Sequence, residues 1–152
     1  MTKFKFSIAQ KDERVLALME NTDHKILGMW ARDCALRVLP YFEEKYPEDV
    51  RPRNAIETLQ TWIDSGVFKM SVIRAASLLS HAAARDTDDN DAARSAARAC
   101  GQAVATAHVP THSIGAANYA LQAIFRTSSN ASTVIARERE WQYQHLLDLS
   151  QI

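Results

Sequence analysis

Apolar residues recur along this chain at spacings of three and four, segment after segment, and no segment alternates at period two for long enough to specify a strand. Val15, Leu16, Leu18 and Met19 predict a short helix from about Gln10 to Glu20. Leu27, Trp30 or Ala31, Cys34 and Val38 then form a core-facing stripe on a helix capped by Thr22 or Asp23. Pro40 should end or kink it, because its ring clashes with the carbonyl four residues back, and Tyr41 to Tyr46 should add one or two turns. The loop Pro47 to Asn54, closed off by two prolines, precedes a helix with Ile56, Leu59, Trp62 and Ile63 on one face. Gly66 suits the left-handed position that terminates it.

Beyond that glycine, Val72, Ala76, Leu79 and Ala83 place a stripe on a helix from about Lys69 to Arg85. Ala92, Ala96, Ala99, Ala103 and Thr106 make a small-residue face on the next helix, with Arg94, Arg98 and Gln102 expected on its solvent side. Val109-Pro110 breaks the pattern. Ile114, Ala117, Leu121 and Ile124, flanked by Ala116, Ala120 and Ala123, then cover so much of one helix's girth that it should be central. The last helix, about Ala131 to Leu149, follows Ser128-Ser129-Asn130, carries Val134 and Trp141, and should expose Arg137, Glu138, Arg139 and Glu140.

Six or seven helices with short connections predict an all-α, single-domain bundle or stack of helical hairpins over residues 1–152, with residues 1–9 as a loose N-terminal arm. The stretch from Ala75 to Ile124 is so dense in alanine that its helices should lie close together in an Ala-rich core.

Composition narrows the function classes. A chain of 152 residues, 47% of them hydrophobic, can bury the core of one ordinary domain. Eighteen basic and eighteen acidic residues cancel, so no overall field favours nucleic acid or an anionic membrane. Cys34 and Cys100 have no framework spacing and point to a reducing compartment. With no apolar leader and no membrane-length run, the expected location is cytoplasmic.

The sharpest chemical candidates are His81, His108 and His112, which would hold a metal or small ligand if they converged. Val109-Pro110 separates His108 from His112, so their spacing does not place them on one helix face, and backbone hydrogen bonding accounts for both more simply. Cys34 and Cys100 sit mid-helix among apolar residues, unlike activated thiols. Asp33, Glu57 and Asp64 form no recognisable acid/base pair, and neither a phosphate loop nor a Gly-x-Ser-x-Gly turn is present. No cofactor is implied. Arg51 and Arg53 on a proline-stiffened loop offer an anion clamp, although pairing within the chain with Glu57 or the Glu43-Glu44 turn is the favoured account of them. The acidic turn containing Asp86, Asp88, Asp89 and Asp91 offers a contact for a basic partner, or simply caps the following helix. Trp30, Trp62 and Trp141 fall on helical stripes and are expected in the core.

Three segments carry a resemblance: Asp23-His-Lys-Ile-Leu-Gly-Met-Trp-Ala-Arg-Asp-Cys-Ala, Arg51-Pro-Arg-Asn-Ala-Ile-Glu with Trp62, and Ala-Thr-Ala-His108-Val-Pro-Thr-His112-Ser-Ile-Gly-Ala-Ala. Together they resemble the immunity-protein-five-like group of bacterial all-helical domains over about residues 20–125, most specifically at His-Val-Pro-Thr-His. The resemblance implies a small intracellular protein that neutralises a cognate protein toxin by binding and not by catalysis. It carries no site residues onto this chain. The residues named above therefore stand as two competing sites: a partner-binding surface at Asp86, Asp88, Asp89, Asp91, Arg51 and Arg53, or a metal or ligand cluster at His81, His108 and His112. Self-association through the alanine faces would make a homo-oligomer.

Overall fold

Helix-forming side chains and well-placed breakers divide the chain into eight helices in a computed structural model that describes residues 4–128 and 131–151. Residues 1–3 of the expected arm, Ser129 and Asn130 of the turn before the last helix, and Ile152 lie outside the described residues. The helices are α1 (Glu13–Met19), α2 (His24–Leu36), α3 (Leu39–Glu43), α4 (Arg51–Ser65), α5 (Met70–Arg85), α6 (Ala92–Ala105), α7 (His112–Thr127) and α8 (Ala131–Leu149). No strand occurs among the described residues.

The expected six or seven become eight at Pro40. As expected of this proline, α2 ends at Leu36, four residues before it, and Pro40 then sits in the first turn of a separate α3, where its missing N–H would have had no helical partner anyway. The other boundaries follow their local chemistry. The Asp12 carboxylate caps α1 through the Arg14 N–H and that of Asp91 caps α6 through the Ala93 N–H, each at 2.9 Å. Gly66 closes α4 at φ +69°, and Asn90 makes the left-handed step in the acidic turn at φ 63°.

Helix α6 is the hub and touches α2, α3, α4, α5 and α7. The sequence pattern had put α7 there, but α6 buries residues all round its girth: Ala93, Ser95, Ala96, Ala97, Ala99, Cys100, Gly101, Ala103 and Val104. Side chains this small let several neighbours reach the same helix at once, and α7 answers with buried Ala116, Ala120 and Ala123. Large side chains fill the periphery of the core, notably Val38, Leu39, Phe42, Ile56 and Leu59.

A second cluster joins α1, α2, α7 and α8 through Val15, Leu27, Trp30, Ala117 and Leu146. There Trp30 Nε1 donates to the Gln142 carbonyl at 2.8 Å, and Gln142 Nε2 donates to the Ala117 carbonyl at 2.9 Å. Glu138 and Arg139 of α8 are not on its solvent face, as their polarity had suggested. Glu138 is buried in a two-point grip from Arg37, and Arg139 is half-buried. The segment before α1 lies along α7, with Phe4 and Phe6 against Phe125 and the carbonyls of Ile8 and Gln10 accepting from Asn118 Nδ2 at 3.0 and 3.1 Å.

Candidate functional site

The outward face of α5 follows from what α6 lets it pack. Against the small residues of α6, α5 turns in its own small residues: Ala83, Ala84 and Ser80 are buried, Ala76 and Ser77 half-buried, and Ile73 is the one large side chain among them. Two hydroxyls fix that rotation. Ser77 Oγ donates to the Gly101 carbonyl at 2.9 Å and Ser80 Oγ to the Ala97 carbonyl at 2.7 Å. The expected stripe of Val72, Ala76, Leu79 and Ala83 is therefore corrected, since Val72 and Leu79 are 49% and 52% exposed.

Of the ten large hydrophobic side chains exposed among the described residues, six lie between Val67 and Leu79: Val67, Phe68, Met70, Val72, Leu78 and Leu79. All six are carried by α5 and the turn that Gly66 makes before it, so one helix and its entry present most of the exposed large apolar side chains. At 100° per residue, Val72 and Leu79 share one flank, Leu78 and Arg74 the other, and Ala75 and Ala82 lie between.

Each flank borders a groove. One, about 300 Å³, runs between α5 and α4 and is lined by Thr58, Thr61, Trp62, Lys69 and Val72. The other, about 310 Å³, is lined by Met70, Arg74, Leu78, His108 and His112, and Phe68 stacks on the His108 ring at 5.8 Å.

The residues nominated from sequence for a partner surface are mostly occupied within the chain. Arg51 Nη2 bonds Asp49 at 2.7 Å and Asp86 at 2.8 Å, while Arg53 Nε bonds Glu43 at 3.0 Å. Arg51 in turn holds the Asp49 carboxyl below its usual range. Asp91 caps α6 and pairs with Lys45; burial alone would raise its pKa, but Lys45 and the Ala93 N–H outweigh it. Asp88 and Asp89 keep carboxylates 85% and 87% exposed, beyond the C-terminal end of α5.

The three histidines have separate partners. Arg98 Nη1 donates to His81 Nδ1 at 2.9 Å, His112 Nδ1 donates to Gln102 Oε1 at 2.8 Å, and His108 stacks on Phe68. Arg98 and Gln102 are thus turned toward neighbouring helices and not to solvent. His108 and His112 share a groove whose lining omits His81, and no group of three His, Cys, Asp or Glu among the described residues is placed to hold a metal ion. Burial, then Arg98, Arg85 and His112, push His81 down to about 4, and burial followed by His108 lowers His112, so both favour the neutral ring. Burial raises both thiols, Cys34 with help from Glu138 and Asp33, which suits packing and not nucleophilic attack. Asp33 accepts from Arg32 at 2.7 Å and faces His145 Nε2 at 2.7 Å.

Periodicity missed the α5 surface because that helix is apolar on two stripes. The legible signal was the size difference between them: small residues at Ala76, Ser80 and Ala83 match an alanine-lined neighbour, and large ones at Val72 and Leu79 do not.

No described helix is long and apolar enough to cross a membrane. A family model described as Imm-5 like putative immunity protein matches residues 17–149. No curated protein and no solved structure matches the chain.

Proposed function

The chain belongs to the Imm-5 like putative immunity protein family, and from that membership we propose that it binds a cognate bacterial protein toxin in the cytoplasm and neutralises it by covering the toxin's working surface, with no chemistry of its own. The observation that carries the binding surface is the run of exposed large hydrophobic side chains on α5 and the turn before it. Stable protein interfaces centre on apolar anchors held by a rigid scaffold, and they bury about 800 Å² per partner. A helix of 16 residues with a groove along each flank has the length and relief for such a contact.

This reading moves the centre of the contact away from Arg51 and Arg53, whose guanidinium groups would first have to leave Asp49, Asp86 and Glu43. Asp88 and Asp89 stand at the end of the α5 surface, where charges tune the on-rate more than the affinity.

The test is capture from native lysate with the tagged chain, identification of the retained protein, and its co-expression with the chain in a host whose growth it arrests. The chain restores growth, whereas a Leu78→Asp/Leu79→Asp variant that melts normally does not. Growth arrest unrelieved by the chain refutes neutralisation, and equal protection by the variant refutes the α5 surface.

A further inference from the structure

The formal charges lining the two grooves beside α5 have one sign, while the acidic turn from Asp86 to Asp91 lies past the C-terminal end of the helix. Helix α5 contains Arg74 and Arg85 and no carboxylate, and Lys69 occupies its N-cap position. Lys69 stands in the groove against α4 and Arg74 in the groove against His108, and no acidic side chain lines either groove. The arginines of the helices packed around α5 are engaged elsewhere: Arg51, Arg53 and Arg94 have carboxylate partners, and Arg98 binds His81. Lys69 and Arg74 have none among the described residues. Arg85 differs from these two, because it adjoins the acidic turn that begins at Asp86.

Two exposed cations therefore flank an apolar strip, one in each groove, while Ser77 and Ser80 hold the helix so that Val72, Leu78 and Leu79 cannot rotate into the core. From this arrangement we infer that the surface takes an apolar segment of the partner flanked by carboxylates, with the apolar residues on Val72, Leu78 and Leu79 and the carboxylates against Lys69 and Arg74. The inference rests on the reading of the chain as a toxin-binding protein and adds the chemistry of the toxin's contacting segment. Cations unpaired in the free chain gain ionic partners on binding, so the complex is selected by charge sign as well as by apolar area. A second copy with its α5 parallel would set bases against bases, and an antiparallel copy, which would bring its own acidic turn to Lys69 and Arg74, is the occupant that the sedimentation experiment below excludes.

Two synthetic amphipathic peptides of roughly 18 residues test this, sharing one leucine face and differing only in glutamate or lysine flanks. Each is titrated by fluorescence anisotropy against the full chain at low ionic strength, about 50 mM, where surface charge is least screened. The glutamate peptide binds about tenfold tighter than the lysine peptide. A Lys69→Glu/Arg74→Glu variant with unchanged circular dichroism reverses that order, and Leu78→Asp/Leu79→Asp loses both peptides. Equal affinity, preference for the lysine peptide, no reversal, or no binding of either peptide overturns the inference, as does sedimentation showing a dimer that Leu79→Asp dissociates. No toxin takes part, so an absence of growth rescue would refute neutralisation and leave the charge preference standing, and the converse holds.

Discussion

The His81 ring lies so close over Gly101 that a Cβ built on the glycine would sit 2.7 Å from Nε2. This contact joins α5 to the hub helix beside the two serine bonds that set its rotation. Gly101→Ala must push the ring aside or separate the helices, at a cost of about 1–3 kcal/mol in denaturant-measured stability. A His81→Ala/Gly101→Ala double variant recovers part of that loss, because the two residues compete for the same space. Additive losses would mean that the close approach is not what holds the pair.

Acid should loosen the same junction. His81 is held down to about 4 by burial and by Arg98 and Arg85, against about 6.5 in an unfolded chain. Between those values the unfolded chain binds more protons, up to about one at this residue, so stability rises with pH. The contribution is complete above about pH 6.5 and is lost as pH falls toward 4. Urea midpoints for the parent and His81→Gln at pH 7, 5.5 and 4.5 read it directly. The variant's profile is the flatter one, with His112 supplying some of the slope that remains in the same direction.

Arg37 grips Glu138 with Nε on Oε2 at 2.6 Å and Nη2 on Oε1 at 2.8 Å, binding α2 to α8. The guanidinium also lies 3.8 Å from the centre of the Trp141 ring. Arg37→Met strands a buried carboxylate and lowers stability by about 2 kcal/mol, whereas Arg37→Met/Glu138→Leu restores most of it, since an apolar pair needs no desolvated partner. Calorimetric melting of both variants distinguishes the pair from its parts.

Asn118 donates to the carbonyls of both Ile8 and Gln10, which fastens the N-terminal segment to α7. Asn118→Ala frees that backbone, and limited proteolysis cuts near residues 8–11 several-fold faster while the remaining helices resist digestion. Unaltered cleavage would assign the fastening to Phe4 and Phe6 against Phe125.

Much of the helix layout was legible in the residues. Gly66 and Asp91 mark their helix ends through local backbone and side-chain chemistry alone, and Leu27, Trp30, Ala31, Cys34 and Val38 all occupy the buried face that their spacing assigns. The site was far less legible. The pairing of Arg53 with Glu43, ten residues back, was legible in the sequence, but the Arg51 partner Asp86 lies 35 residues away and is met only when α4 and the end of α5 assemble.

The sequence by itself determined that the chain is helical, where most helices begin and end, and that its alanine-rich middle would allow close packing. Only the tertiary structure decided which of the two apolar stripes of α5 faces inward. Periodicity treats Val72 and Ala83 alike, but a hub helix lined with alanine and glycine has room for small side chains and for hydroxyls that reach its carbonyls, and that choice leaves Val72, Leu78 and Leu79 outside.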